Sequence, residues 1–187
     1  MKKKLGLATV LVASIGTAAV LGMHAFAGGG QVNLRADMLS GYQEATPAGV
    51  ATDATGTFTA SIDDATQTIT YELTYTGLSG SALFAHIHFG NRYDSGAVEA
   101  FLCGGSTKPA CPTGTSGDVT GTITPADVVG QVAVPPSQAV GQGIGPGEWQ
   151  KLVDAMRAGV TYANVHSSTW PSGEIRGQIN DDNQRQP

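Results

Sequence analysis

The chain predicts an all-β protein, a sandwich or barrel of about eight short strands with one short crossover helix. Three observations predict it. Gly and Pro, 26 and 9 of 187 residues, punctuate the chain at short intervals while staying below the fraction typical of low-complexity disorder. Twenty Thr against five Lys favour pleated, half-buried surface over long exposed helices. Apolar residues recur with a period of two in segment after segment, and 41% apolar content supports a core.

The elements follow in order. Gln31 to Met38 alternates, with Val32, Leu34, Ala36 and Met38 on one side and Asn33, Arg35 and Asp37 on the other. A turn-rich loop, Leu39 to Pro47, leads to a second alternating set at Phe58, Ala60 and Ile62, which ends at Asp63-Asp64-Ala65-Thr66, where Asx side chains suit a hairpin turn. Ile69, Tyr71, Leu73 and Tyr75 form its partner strand. Leu83 to Phe89, Val98 to Leu102, Val119 to Ile123, Val160 to His166 and Glu174 to Ile179 add five more candidates. Trp149, Leu152, Val153 and Met156 instead recur at helical spacing, with Arg157 in the last turn and Gly159 as a cap, so about 147–158 is the crossover helix. Thr124-Pro125 reads as a helix start that Gly130 and Pro135-Pro136 cut short. A loop follows to Gly147, and the polar tail beyond Asn180 is expected to fray.

Residues 1–27 read as a secretory signal: Lys2, Lys3 and Lys4, an apolar stretch to about Met23, then Ala25-Phe26-Ala27 as the cleavage site. Cleavage leaves Gly28 first and a single domain over 28–187, with its core about 32–179. An uncleaved anchor is the alternative, since about 18 apolar residues can span a bilayer. Export to the periplasm, envelope or medium favours pairing of Cys103 with Cys111, the only two cysteines. Their spacing matches no C-x-x-C redox motif. Without the leader, seven bases face fifteen acids, a net charge of −8. Seven scattered bases in an acidic field do not build a nucleic-acid face, and no segment beyond the leader is apolar enough to span a membrane.

Chemistry concentrates in the histidines. His24 goes with the leader, leaving His86, His88 and His166. On a strand His86 and His88 share one face while Leu83, Ala85, Ile87 and Phe89 take the other, so the imidazoles are expected on the outer, solvent face. His166 takes the same parity opposite Ala163 and Val165, as do Glu174, Arg176 and Gln178 opposite Ile175 and Ile179. H-x-H on a strand can converge on one ion because same-face neighbours lie roughly 6.5 to 7 Å apart. The expected site is therefore a surface set of His86, His88 and His166, with Glu174 as a fourth ligand or an acceptor orienting an imidazole, and Arg176 and Asn164 beside it. Imidazole suits Cu, Zn, Ni or Fe, and intrinsic affinity favours Cu(II), with Zn or Mn as alternatives. The other possibility is that the histidines only hydrogen-bond surface loops. Both cysteines in a bridge exclude a blue-copper thiolate, and H-E-x-x-H, G-x-S-x-G and Walker motifs are absent.

These segments resemble the CHRD (chordin) domain family. The resemblance is carried by Leu39-Ser40-Gly41-Tyr42-Gln43-Glu44, Ala54-Thr55-Gly56, Ala85-His86-Ile87-His88-Phe89-Gly90, Thr120-Gly121-Thr122-Ile123-Thr124, Arg157-Ala158-Gly159 and Tyr162-Ala163-Asn164-Val165-His166 running on to Pro171 through Ile179. Glu44-Ala45-Thr46-Pro47 departs from the usual Glu-Val-Pro-Pro, and the Cys103 to Cys111 loop looks like an insertion. The resemblance implies an immunoglobulin-like or Greek-key β-sandwich and assigns no catalytic residue. The H-x-H segment is also similar to the copper strand of Cu,Zn superoxide dismutase, whose dinuclear centre needs more histidines than remain here. Three functions follow as expectations: an exported metal-binding module; an adhesion or protein-interaction module with structural histidines, using Tyr42, Tyr93 and Trp170 as anchors; and metal-dependent removal of superoxide or peroxide, with Arg176 steering the anion.

Overall fold

Strict alternation becomes antiparallel sheet. The computed structural model describes residues 32–45, 48–131 and 141–180. They form β1 (Val32–Ser40), β2 (Thr55–Asp63), β3 (Thr68–Thr76), β4 (Ala82–Phe89), β5 (Ala97–Cys103), β6 (Gly117–Ile123), α1 (Trp149–Arg157), β7 (Thr161–Ser167) and β8 (Ile175–Ile179), with short 3-10 turns at Gly41–Gln43 and Pro125–Asp127. Each of the eight expected strands is present. The helix is shorter than the expected 147–158. The leader, the tail from 181 and residues 132–140 of the long loop lie outside the described residues.

One sheet holds all eight strands in the order β5-β4-β7-β8-β1-β2-β3-β6, and every pairing is antiparallel. β4 and β7, which follow β3 and β6 in sequence, lie in the opposite half of the sheet, giving Greek-key crossovers. β2 and β3 are the expected hairpin, in register from Thr55↔Thr76 to Asp63↔Thr68. Asp63 Oδ1 caps their turn by accepting from the amides of Ala65 and Thr66. A register shift between Ala36 and Leu39 bends β1 so that Ser40 reaches both Thr55 and Arg176.

The sheet curls until its edges nearly meet. Tyr71 Oη donates 2.6 Å to Leu102 O across the gap, Ala100 bridges Val128 just after β6, and the Lys108 ammonium joins Asp127 to the Thr122 carbonyl. Cys103 and Cys111 form a disulfide that holds the intervening loop at this seam. Inside lie Phe58, Ile62, Ile69, Leu73, Ile87, Leu102, Ile123, Val165, Ile175 and Ile179, with Trp149, Leu152, Val153 and Met156 of α1 joining the core. α1 ends in a Schellman arrangement, with the Gly159 amide on Met156 O and the Val160 amide on Ala155 O. Gly159 has φ +74, which glycine adopts without the Cβ clash. Among the described residues no helix is long and apolar enough to cross a membrane.

Candidate metal centre

Strand order decides what the H-x-H motif meets. β4 pairs with β7 as Phe84↔His166, His86↔Asn164 and His88↔Tyr162, so His166 lies diagonally across from His86. The three imidazoles stack into one cluster, with ring centroids 4.4 Å apart for His86 and His88 and 4.5 Å for His86 and His166. One ligand atom from each lies within 4.8 Å of the others. Bonds of about 2.0 to 2.1 Å place the nitrogens of a shared ion roughly 3.3 to 3.6 Å apart, so a pair at 4.8 Å closes by roughly 1.2 to 1.5 Å when an ion binds.

The outer face of β4 and β7 is not a solvent face. His86, His88 and His166 are 3%, 9% and 7% exposed, which corrects the expected surface site. Parity was right about which residues share a face, but loops and aromatic rings cover that face. Phe84 stacks against His86 and lies tilted against His166, Phe101 meets His86 edge-on, and Tyr162 lies parallel to His88 at 4.6 Å. The loop after β4 folds so closely that a Cβ on Gly96 would lie 1.7 Å from Phe89 O.

These covering loops set the imidazole tautomers. His88 Nδ1 donates 2.9 Å to Gly96 O and His166 Nδ1 donates 2.9 Å to Pro171 O, since a carbonyl only accepts. Each Nε2 therefore keeps its lone pair. His86 Nδ1, His88 Nε2 and His166 Nε2 are buried with no hydrogen-bond partner among the described residues. Burial, reinforced by the neighbouring histidines, pushes His86 down to about 2. His88 is lowered to about 4, chiefly by burial, and His166 is lowered by burial too. All three are neutral at pH 7, the form a metal needs, and a backbone carbonyl on the opposite nitrogen is the usual support of a ligating histidine.

Glu174 does not join them, which corrects its expected role as fourth ligand. Its Oε1 accepts from Thr52 Oγ1, the Ser79 amide and Ser79 Oγ, and its Oε2 from Ser167 Oγ. Arg176 is buried as well, so it is no anion guide. It donates to Asp94 O and Asn91 O and sits 3.5 Å over the Tyr162 ring, on which His88 also stacks. Asn164, opposite His86, donates to Glu44 Oε1 at 2.6 Å and to Ile175 O. Burial pushes Glu44 up to about 7 against the pull of Arg176. The rings of Phe84, Phe101 and Tyr162 were missed as site residues. Phe84 precedes His86 by two and Tyr162 precedes His166 by four, so the same alternation placed both on the histidine face.

Antiparallel Greek-key strands around one core, with neutral histidines grouped on the neighbouring strands β4 and β7, define a small all-β module with a candidate metal site. The CHRD domain model matches residues 36–179, and the chain belongs to that family. No curated protein matches it.

Proposed function

We propose that the chain is an exported CHRD module that holds one transition-metal ion at His86, His88 and His166, copper before zinc or manganese. One observation carries this reading: three buried ring nitrogens have no partner among the described residues, while the opposite nitrogens of His88 and His166 are tied to carbonyls. Buried polar atoms without partners are costly, and an ion satisfies all three together. Export rests on the leader at residues 1–27, and the Cys103–Cys111 disulfide fits an oxidising compartment. Calorimetry of residues 28–187 with Cu(II), Zn(II) and Mn(II) tests the site. Micromolar or tighter binding is expected, weakened at least tenfold in His88→Ala; affinity no better than millimolar for every ion tested, Cu(I) included, or unchanged in the variant, ends the proposal.

A second reading, an extracellular protein-interaction module, draws on Tyr42 and Tyr93, which are 75% and 67% exposed. Capture of an exported protein that survives replacement of all three histidines and fails in Tyr42→Ala with Tyr93→Ala would favour it.

A further inference from the structure

The donor set and its surroundings bear on the charge of the ion. We propose that the three-histidine site selects monovalent copper, Cu(I), over Cu(II), Zn(II) and Mn(II), an inference that rests on the metal-binding reading above.

The group contains no anion. Three neutral imidazoles converge; Glu174 is held by Thr52, Ser79 and Ser167, Glu44 by Asn164, and the buried Glu99 at the β5 bulge, next to the Val98 that pairs with His88, lies outside the group. The ligands therefore cancel none of the ion's charge, and the site carries the full +1 or +2. Around it stand the rings of Phe84, Phe101 and Tyr162. The cost of burying an ion rises with the square of its charge, so a divalent ion costs about fourfold more than a monovalent one of equal size in this setting. Carboxylate or thiolate ligands would offset that cost, and the group has neither.

A buried cation adds to the bias. The Arg176 guanidinium lies 3.5 Å from the centre of the Tyr162 ring, whose other neighbour is His88 at 4.6 Å. Its repulsion of the ion scales with the ion's charge and is twice as large for a divalent metal. Coordination number works in the same direction. Zn(II) takes four ligands, Cu(II) a tetragonal set and Mn(II) an octahedral one rich in oxygen. Three nitrogens under an aromatic cover complete a trigonal Cu(I) site, whereas each divalent ion needs a further donor, such as water, brought in under that cover. Softness plays little part, since every donor is nitrogen; charge and coordination number make the selection.

The test compares affinities on residues 28–187 under one buffer: Cu(I) by anaerobic competition with bicinchoninate, Cu(II) and Zn(II) by calorimetry. Cu(I) is expected to bind at least 100-fold tighter than either, raising the Cu(II)/Cu(I) potential by about 120 mV over the aqueous couple in voltammetry. Phe101→Asp sets a carboxylate beside His86 and is expected to lower the Cu(I) to Zn(II) affinity ratio at least tenfold. Zn(II) or Cu(II) binding as tightly as Cu(I) overturns this inference and leaves the metal site standing. An unchanged ratio in a folded Phe101→Asp overturns the charge argument, and if that variant does not fold the wild-type ratio decides. Binding of no metal better than millimolar removes the site itself.

Discussion

Glu99 shows what a buried charge without a partner costs. It is fully buried, neither carboxylate oxygen has a donor among the described residues, and burial pushes it up to about 7. The residue is the extra one where β5 bulges between Val98, paired with His88, and Ala100, paired with Ile87. The folded state therefore holds the Glu99 proton more tightly than the unfolded chain, whose carboxyl titrates near the ordinary value. Between about pH 4.5 and pH 7 the folded state binds more protons, so this residue makes stability fall as pH rises, with the full cost present above pH 7. Glu99→Gln is expected to stabilise the protein by about 1 to 2 kcal/mol at pH 8 and to change little at pH 4. Urea melts at the two pH values check this, and an equal effect at both would sink the explanation. The histidines titrate in the opposite sense. Their folded values lie below that of a free imidazole, so stability falls as pH drops below about 6.5, where the unfolded chain takes up protons first.

At the level of elements, the seam between β5 and β6 carries the features that a strand count does not reveal. The Cys103 to Cys111 loop is closed by its disulfide and by the Gly104 amide on Pro109 O, and it sends Lys108 to Asp127 beyond β6. Closing a loop of this length stabilises by about 2 to 3 kcal/mol through the entropy it removes from the unfolded chain. Reduction, or Cys103→Ser with Cys111→Ser, is expected to lower unfolding free energy by that amount in denaturant melts. The short turn at Thr124 forms as its sequence implies, because Asp127 Oδ2 accepts from both the amide and the hydroxyl of Thr124.

For the whole molecule, closure of the sheet is what tertiary packing adds. Tyr71, read from its alternation as a core residue, also donates across the seam to Leu102 O. Tyr71→Phe keeps the ring and removes that bond, with an expected cost of about 1 to 2 kcal/mol in thermal or chemical melts. A loss below 0.5 kcal/mol would show that the disulfide, the Lys108 contacts and the Ala100–Val128 bridge hold the seam without it. Closure also explains why β7 and β8 are buried along their whole length. With the core on one face and the loops at 90–96 and 168–174 on the other, even polar positions such as His166, Asn164 and Arg176 are covered.

Local chemistry determined the strands, the helix, the hairpin and the shared face of His86 and His88, because each depends on periods of 2 or 3.6 and on turn residues within a few positions. The same alternation put His166, Glu174 and Arg176 on one parity, and there the sequence stopped. Only the strand order set β7 beside β4 and so brought His166 to His86. Only the folding of the loops after β4 and β7 back over the sheet buried the cluster and set its tautomers through Gly96 and Pro171, while the distant Ser79 and Thr52 drew Glu174 away. Period reports which way a side chain points; what waits there is set by strand order and by how the loops fold back over the sheet, which no local period encodes.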